Sequence, residues 1–431
     1  MKRYVFKWSA VLTLLVISVL CVYLYTNLPI LETPTIPSSP VVGTPPQDEP
    51  ENDVVRTEFP KAPLLSPFSG CEYLIPLSGS GDDVVLELHA YDDFIFAIGE
   101  TNSCDYDFYA PVPSVFVAKL TKGGMLINIK TVTGTYLHSK LAPYGVGILT
   151  ACSTGTVFTV FDFDLEVVAS TSIEKDKNGM TALTSKGLAF VTTPSSTLTY
   201  YDHLTRSFSS VSLSSINEVV SLEYLDGSLY VVANTDTRPS IICVNAEKTE
   251  ILVPSFLDYI HCAIPFFDNG IGFVISGLNG DVCSVGAVFF NGETAWSKRL
   301  FKADKTYLVP ISDGYLLYAS SSSSSTCIRL CSHGDVVENC LLFFTNLFPR
   351  QYIVSSNCVT MLLASSEYEK SVVVTYSVTD GANFKFEFDC TTPRSIAMSD
   401  VGITLALSSS SSSGNFSSGA GAIDSFLLGL I

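Results

Sequence analysis

The sequence predicts an all-β fold, and three observations lead to this expectation. Short runs of β-branched and aromatic residues, the first around Val84–Leu88, are bounded by Gly, Asp, Asn and Ser, which is the pattern of antiparallel strands. No helical period competes with these runs. The runs also recur in similar groups as far as the C-terminus, so one supersecondary unit is expected to build most of the chain.

The clearest unit runs from Val84 to Gly124. Its first strand ends at the turn Asp92-Asp93, the strand FIFAIG follows at once, and SVFVAKL comes after a polar loop. The turn Lys122–Gly124 leads into a fourth strand. Units begin roughly 40 to 55 residues apart, a period typical of four-stranded propeller blades. We therefore expect a β-propeller of eight blades, with seven as the alternative, whose units start at Val84, His138, Met180, Val219, His261, Thr306, Arg350 and Arg394.

The two ends of this region are expected to pair. The last unit stops after its third strand, IDSFLLGL, close to Ile431, whereas a spare strand, EYLIPLSG, begins at Glu72 before the first unit. If the spare strand completes the last blade, the N- and C-terminal strands close the ring and remove two exposed sheet edges. The alternative is a set of unrelated hairpins in a sandwich or in two domains.

Part of the first unit matches a known repeat. The residues Gly99–Ser103, then Val115–Leu120, then Gly123-Gly124 resemble the bacterial β-propeller repeat family, with its pattern G-x-T-x-S, D-x-F-V-x-K-L, G-x-x-x-W. The last unit keeps Asp424–Leu430, with Gly429 where the family has Lys, and the fifth keeps Gly292–Trp296. The resemblance implies a surface or secreted propeller, and it carries no catalytic residues over to this chain.

The N-terminal part of the chain predicts an anchor and a stalk. Residues 1–7 form a basic tip, and residues 8–25 are eighteen uncharged, mostly apolar residues, about enough to cross a bilayer. The cations before them are expected to stay in the cytoplasm, which leaves the body outside, at the cell surface or in the periplasm. A cleaved signal peptide is the alternative. Residues 26–68 are Pro-rich and acidic, as in an extended stalk, and residues 69–431 form the propeller.

The composition limits the partners. The 431 residues carry a formal net charge of −18, which argues against nucleic acid and anionic lipid. We expect the membrane to be contacted only through the N-terminal helix. A protein or glycan is expected to dock on the face formed by the loops after each second strand, with Glu100–Pro113 as the best single contact region.

A few side chains are candidates for that face. Glu100, Asp105 and Asp107 lie within eight residues, and three carboxylates at this spacing could hold calcium, although surface acidity is the favoured explanation. His138 and His261 come at the starts of innermost strands, where the mouth of a propeller channel is expected. Either they contact a ligand there or they are solvated loop histidines, and the second interpretation is favoured.

The sequence contains no common catalytic motif. It has no H-E-x-x-H, G-x-S-x-G, P-loop or G-x-G-x-x-G after a strand, so no catalytic residue and no cofactor other than possible calcium is predicted. Binding is the favoured function. An extracytoplasmic hydrolase or lyase with its site at the channel mouth, and a structural component of an envelope assembly, are the alternatives.

The chain has twelve cysteines, and most of those in the head lie in predicted strands among apolar neighbours. Buried thiols that act as small hydrophobic groups are the favoured interpretation. One disulfide is also possible. If His333-Gly334 is a two-residue hairpin loop, Cys327 lies opposite Cys340 on the neighbouring strand.

Overall fold

The computed structural model describes most of the region from residue 71 to residue 430. All of these residues belong to one compact unit, Val55–Ile431. The described ranges are 71–77, 82–102, 114–174, 176, 178–213, 215–245, 249–252, 254–266, 272–311, 313–321, 325–338, 347–354, 358–365, 370–377, 383–389, 392–399, 402–410 and 423–430.

The described residues form only β-strands and their connections, and the strands assemble into eight four-stranded antiparallel sheets. In chain order the strands are β1 (Cys71–Leu77), β2 (Asp83–Tyr91), β3 (Phe94–Thr101), β4 (Ser114–Thr121), β5 (Leu126–Thr133), β6 (Thr135–Ala142), β7 (Gly145–Cys152), β8 (Gly155–Phe161), β9 (Val167–Glu174), β10 (Asn178–Leu183), β11 (Gly187–Thr193), β12 (Thr197–Asp202), β13 (Ser207–Ser212), β14 (Glu218–Leu225), β15 (Ser228–Asn234), β16 (Pro239–Val244), β17 (Thr249–Leu252), β18 (Tyr259–Phe266), β19 (Gly272–Asn279), β20 (Val282–Phe289), β21 (Thr294–Lys302), β22 (Lys305–Ile311), β23 (Gly314–Ser320), β24 (Ser325–Cys331), β25 (Val336–Glu338), β26 (Leu347–Val354), β27 (Cys358–Ser365), β28 (Lys370–Ser377), β29 (Asn383–Asp389), β30 (Thr392–Ser399), β31 (Gly402–Ser410) and β32 (Ile423–Leu430).

The sheets are the blades of a propeller. We number them in chain order, so that β2–β5 form blade 1, each following group of four strands forms the next blade, and β30, β31, β32 and β1 form blade 8. The first strand of every blade contacts the first strand of the next, and β30 returns to β2. One apolar cluster fills each junction between neighbouring blades. The prediction of an all-β propeller is therefore confirmed.

The N- and C-terminal strands close the ring. Strand β1 pairs antiparallel with β32 from Tyr73 opposite Gly429 to Leu77 opposite Ser425. Leu77 is buried in the same apolar cluster as Leu427 and as Leu88 of blade 1. The predicted pairing of the two terminal strands is confirmed, and the spare strand at the start of this region fills the outer edge of blade 8.

The second and third strands of the blades carry the apolar core because they are covered on both faces. Every side chain from Ile95 to Ile98 and from Val115 to Ala118 is buried. Gly99 belongs to this layer for a steric reason. A Cβ there would lie 2.2 Å from the carbonyl oxygen of Val84 and 2.6 Å from the Phe116 ring.

The turn between the third and fourth strands has one form in four blades. In each of them a backbone N–H bonds to the carbonyl four residues later, and the last of the three enclosed residues has a positive φ, at Gly124, Leu165, Gly292 and Gly334. A three-residue turn of this kind adds one residue to the fourth strand. The expected two-residue loop His333-Gly334 is therefore wrong, since the Cys331 N–H bonds to the carbonyl of Asp335 around three intervening residues.

The innermost strands of six blades contain a β-bulge at the same place. Within the described residues, the unpaired residue is Leu86, Leu137, Val220, His261, Arg350 and Arg394 in blades 1, 2, 4, 5, 7 and 8. A bulge redirects the side chains that follow it.

We call the residues directly after the bulges the first belt, which consists of Glu87, His138, Ser221, Cys262, Gln351 and Ser395. Two residues further along, on the same side of each strand, is the second belt, which consists of His89, Lys140, Glu223, Ile264, Ile353 and Ala397.

The expected basic tip, membrane anchor and stalk, residues 1–68, lie outside the described residues. Within the part that is described, no helix is both long enough and apolar enough to span a membrane.

Candidate functional site

Polar side chains concentrate on the innermost strands. The innermost strand of a blade is its first strand, at the inner edge of the sheet. Some of its backbone N–H groups therefore have no strand partner. The preceding blade supplies acceptors for them. Ser395 Oγ accepts from the N–H of Leu88 at 2.9 Å, and Gln351 Oε1 accepts from the N–H of Ile396 at 2.7 Å. At these two junctions a first-belt residue therefore joins one blade to the next.

The most extensive network links blades 1 and 2 around Glu87. Its Oε2 accepts hydrogen bonds from the hydroxyls of Tyr136 and Ser139, the latter at 2.6 Å. Ser139 Oγ also lies 2.8 Å from Nε2 of His89. Because the Ser139 hydroxyl gives its proton to Glu87, His89 must carry its own proton on Nε2 and donate it to Ser139.

The charges of this network are set by its burial and by its partners. Burial raises the pKa of Glu87, but the nearby His89 and His138 and the hydrogen bonds from Ser139 and Tyr136 outweigh burial and hold that pKa below its usual value. Burial lowers the pKa of His89, against the opposing charge of Glu87. At neutral pH the network therefore contains a carboxylate and a neutral imidazole.

The same three residue types, Ser139, His89 and Glu87, do not form a nucleophilic triad. In such a triad the acid binds one imidazole nitrogen and the other nitrogen accepts the serine proton. Here Glu87 takes the serine proton itself, and its Oε1 lies 3.6 Å from the same Nε2 that faces Ser139. Ser139 is also fully buried. The arrangement holds two blades together and offers no exposed nucleophile.

The two histidines singled out in the sequence make similar contacts with the next blade, although His138 directly follows a bulge and His261 is itself the bulge residue. His138 Nδ1 lies 2.8 Å from the hydroxyl of Thr181 and accepts from its backbone N–H at 3.4 Å, across the junction of blades 2 and 3. His261 Nδ1 accepts from the N–H of Thr306 at 3.2 Å, across the junction of blades 5 and 6. An accepting Nδ1 places the proton on Nε2, so both imidazoles are held in one tautomer with Nε2–H as a donor.

The interpretation of these histidines as solvated loop residues is wrong. His138 lies inside β6 and His261 inside β18, and both side chains are partly buried. Burial lowers the pKa of each imidazole below its ordinary value. Both are therefore neutral at pH 7, and their contacts with the next blade explain their orientation.

The second belt brings charges from separate blades near one another. Lys140 of blade 2 is exposed although it lies on an innermost strand, so it borders the space at the centre of the ring. It lies close enough to Glu223 of blade 4 to oppose the rise in pKa that burial gives this carboxyl. Glu223 in turn contributes to the raised pKa of Tyr352 of blade 7. The centre of the ring is thus a mixed polar site contributed by several blades.

A second cluster lies at the end of the ring where the first strands begin and the second strands end, which we call the loop face. Glu218 Oε2 accepts from Asn234 Nδ2 at 2.9 Å and from the hydroxyl of Tyr259. Asn234 also binds the backbone N–H and carbonyl of Ile260, each at 2.9 Å. The Tyr259 ring lies edge-on to His261 at 5.2 Å and is 40% exposed. This cluster presents an oriented aromatic side chain to solvent.

Of the three predicted calcium ligands, only Glu100 is described. It lies within strand β3 and not in the following loop, and its Oε1 accepts the N–H of Tyr136 at 2.6 Å. Asp105 and Asp107 lie outside the described residues, so the calcium site stays a prediction. Among the residues that are described, no group of three His, Cys, Asp or Glu side chains could hold a metal.

The disulfide between Cys327 and Cys340 also stays a prediction, because Cys340 lies outside the described residues. The described part of the hairpin bears on its register. Leu330 pairs with Val336, a bulge follows, and Arg329 pairs with Glu338. The bulge compensates for the extra residue of the turn. Arg329 therefore pairs with Glu338, as it would with the expected two-residue loop.

Sequence reasoning missed Glu87, Lys140, Glu223 and Tyr259. A weak signal was present, since His89, Lys140 and Glu223 each follow the start of a first strand by a similar distance in their units. The bulges that align them leave no mark in the apolar pattern. Without the bulges, these residues cannot be distinguished from ordinary solvent-facing strand residues.

Comparison with known proteins supports the fold. Neither a protein-family model nor a curated protein sequence matches the chain. Among solved structures, BamB from Moraxella catarrhalis is similar, with a TM-score of 0.52 at 9% identity, over 83% of this chain and 99% of that chain. The Dos1 propeller has a TM-score of 0.53 at 11% identity, over 85% of this chain and 95% of that chain. At these identities the similarity shows a β-propeller fold and nothing more specific.

Proposed function

We propose that this chain is a membrane-anchored extracytoplasmic β-propeller that binds a protein or glycan partner on its loop face. The observation that carries the proposal is the cluster around Tyr259. This side chain is held by Glu218 and stacks edge-on to His261 while 40% of it stays exposed. Oriented aromatic side chains with a polar tip are enriched in binding surfaces, both for proteins and for sugars.

The hydrogen bonds inside the ring favour binding over catalysis. Glu87, Ser139 and His89 bond to one another between two blades, and Gln351 and Ser395 bond to the amides of the following blades. These groups are already engaged, and such engagement makes the ring a rigid platform. Propellers of one architecture carry unrelated functions, so the argument depends on this site and not on the fold.

The proposed location follows from the sequence before the ring. Residues 8–25 would cross the membrane with the basic tip in the cytoplasm, and residues 26–68 would hold the propeller away from the bilayer. The chain enters the ring through β1 in blade 8. Protease digestion of intact cells tests the topology, since an external propeller is degraded while the basic tip stays protected.

The binding proposal is tested by two changes on the loop face. Tyr259→Ala and replacement of residues 103–113 by a short Gly-Ser linker are each expected to reduce partner capture after crosslinking on the cell surface. Leu204→Ala is the matched control, because Leu204 is 83% exposed in a turn at the opposite end of its blade. Capture that is unchanged by both loop-face variants, or reduced equally by the control, contradicts the proposal.

A permanent partner would make the protein a structural component of an envelope assembly. Purification from membranes separates the two cases. A partner that stays at constant stoichiometry through purification indicates an assembly component, whereas capture that requires crosslinking indicates reversible binding.

A further inference from the structure

The outer edge of blade 3 is a surface that the binding function on the loop face does not use. Strand β13 (Ser207–Ser212) is the outermost strand of this blade, and β12 is the only described strand with which it pairs. In a strand paired on one side only, every second residue turns its backbone N–H and C=O away from the sheet. Strand β13 therefore presents a row of backbone donors and acceptors, and five of its six residues are exposed.

The edge of β13 lacks the features that commonly protect such edges. Edge strands of folded proteins carry a charge or a proline, form a bulge, or are very short. Strand β13, with the sequence SFSSVS, has no charge and no proline, and all six of its residues pair with β12 without a bulge. Each of the other seven outermost strands of the described ring contains at least one charged residue, among them Lys130, Glu174, Glu250, Lys298, Glu338, Lys385 and Glu72. Among these strands, β13 alone is therefore open to pairing with a further strand.

The side chains of β13 suit an added strand. Because side chains alternate along a strand, Ser209 and Val211 point to one face of the sheet and Phe208 to the other. The Phe208 ring packs against the rings of Phe158 and Tyr201, which holds the strand in place. Val211 is 40% exposed, and the small side chain of Ser209 beside it leaves the backbone accessible. A β-branched or aromatic residue opposite Val211 on an added strand would cover this exposed apolar surface.

The charges beside this edge indicate the kind of strand that it attracts. Blade 3, residues 178–212, contains two cations, Lys186 and Arg206, and one carboxylate, Asp202, whereas the whole chain has a formal net charge of −18. Both cations are exposed in turns at the end of the blade where β13 begins. The N–H of His203 bonds to the carbonyl of Lys186 at 3.1 Å, so the two turns lie together. An acidic residue at this end of an added strand would therefore be attracted to both cations.

We propose that the edge of β13 binds an extended segment of a partner protein, which adds to blade 3 as a fifth strand. Hydrogen bonds between the two backbones provide the affinity in this mode of recognition, and alternate side chains provide the specificity. The segment is uncharged where it pairs with β13, carries a β-branched or aromatic residue opposite Val211, and has an acidic residue at the end beside Arg206. A second copy of the chain does not fit, because its net charge of −18 opposes self-association and its β13 has no acidic residue. This edge is separate from the surface around Tyr259, and each proposal is tested independently of the other.

The test uses the full-length chain and short synthetic peptides as probes. The first peptide is Thr-Val-Thr-Val-Thr-Val-Asp-Glu, and the second has the same sequence with a methyl group on every amide nitrogen, which removes the backbone donors. Hydrogen exchange followed by mass spectrometry is expected to slow in residues 207–212 with the first peptide and to stay unchanged with the second. At ten times the dissociation constant of the first peptide, about one protein molecule in eleven stays free, so the outward-facing amides are expected to exchange about tenfold more slowly. Unchanged exchange in residues 207–212 with the first peptide, or equal slowing with both peptides, overturns the proposal.

Two lysine variants separate this edge from the other outermost strands. Val211→Lys gives β13 the kind of charge that the other outermost strands already carry, and it is expected to weaken binding of the first peptide by about tenfold or more, which corresponds to about 1.4 kcal/mol. Ser172→Lys adds the same charge to β9 of blade 2, where Ser172 is exposed, and is expected to bind as the wild type does. Unfolding midpoints close to that of the wild type check that both variants are folded, and Ser209→Lys is a second edge variant on the same strand. Equal affinity of the edge variants and the wild type, or equal loss in the Ser172 variant, overturns the proposal.

A third peptide tests the charge preference, and light scattering tests the alternative occupant. A peptide that ends in Lys-Lys instead of Asp-Glu is expected to bind more weakly at low ionic strength, and Arg206→Gln is expected to reduce this difference. Equal binding of the two peptides contradicts the acidic preference. A wild type that forms dimers, together with a Val211→Lys variant that stays monomeric, would assign the edge to a second copy of the chain and contradict the proposal.

Discussion

Nδ1 of His261 accepts a hydrogen bond from the backbone N–H of Thr306, 3.2 Å away on the innermost strand of the next blade. The pair His138 and Thr181 repeats this contact three blades earlier. In both places an imidazole nitrogen satisfies an amide that has no strand partner. Each of these histidines must stay unprotonated at Nδ1 to do so, which makes the junctions sensitive to acid.

We expect the free energy of unfolding to fall as pH drops below about 6.5, the ordinary value for histidine. Burial lowers the pKa of His89, His138 and His261 in the folded state, so the unfolded chain takes up these protons first. The stabilisation that these three histidines give the fold is complete above about pH 6.5. It is lost as the pH falls from there towards their lower pKa in the folded state. Each proton taken up only by the unfolded state costs about 1.4 kcal/mol per pH unit.

Urea unfolding at several pH values between 8 and 5 measures this slope. His138→Gln and His261→Gln are expected to make it shallower. His333→Gln is the control, because His333 is exposed in the turn before β25. A slope that none of these variants changes would show that other groups cause the acid sensitivity.

Glu87→Ala is expected to destabilise the fold by about 2–5 kcal/mol. It removes the acceptor of the Ser139 and Tyr136 hydroxyls, both of which are enclosed between blades 1 and 2. Glu87→Gln keeps one acceptor oxygen and should cost less. Glu166→Ala breaks an exposed ion pair with Lys130 and is expected to change stability by less than about 1 kcal/mol. Equal losses in Glu87→Ala and Glu166→Ala would refute the structural role of the network.

Gly99→Ala is expected to cost about 1–3 kcal/mol, because its Cβ would overlap the carbonyl of Val84 and the Phe116 ring. Neither backbone nor ring can move without disturbing a packed layer. Gly123→Ala in the turn after β4 is the matched control, since its nearest contact would be the Thr121 hydroxyl at 3.9 Å. Thermal unfolding of both variants decides the point, and a Gly99 variant as stable as the control would contradict the described packing.

Deletion of residues 71–77 is expected to leave the edge of β32 open and to cause association of the protein. Strand β32 would lose its partner along the ladder from Tyr73 to Leu77. Unpaired edges template pairing with other chains. Light scattering after gel filtration measures the result, with deletion of residues 40–46 as the control of similar length. A deletion variant that stays monomeric and folded would show that the edge is protected in another way.

The sequence was a good guide to the strands and a poor one to the contacts between blades. The run around Val84–Leu88 marks β2 because a short run of β-branched and other apolar residues that ends at a turn is typical of a strand. The contact between Glu87 and Tyr136 depends on how two sheets pack, and no local pattern encodes that. Glu100 was expected in a loop, but strand β3 continues through it, since it pairs with Val84 on one side and with Val115 on the other.

Turns and bulges explain most of the remaining differences. A two-residue loop at His333-Gly334 and the observed three-residue turn are both compatible with a Gly at position 334, so composition does not separate them. The bulges at Leu137 and His261 occupy ordinary strand sequence. One extra residue in each strand sets which side chains meet, and this is where prediction from the sequence ended.

The pairing of β1 with β32 has a consequence for biosynthesis. Strand β1 leaves the ribosome before any other strand of the ring, whereas its partner β32 is the last strand of the ring to be made. Blades 1–7 each contain only consecutive strands and can form during translation, at the ordinary pace of chain elongation. Strand β1 therefore stays unpaired until blades 1–7 and β32 have been made. A nascent chain stalled before residue 423 would therefore carry seven complete blades and an open ring, and it would be the form most in need of a chaperone.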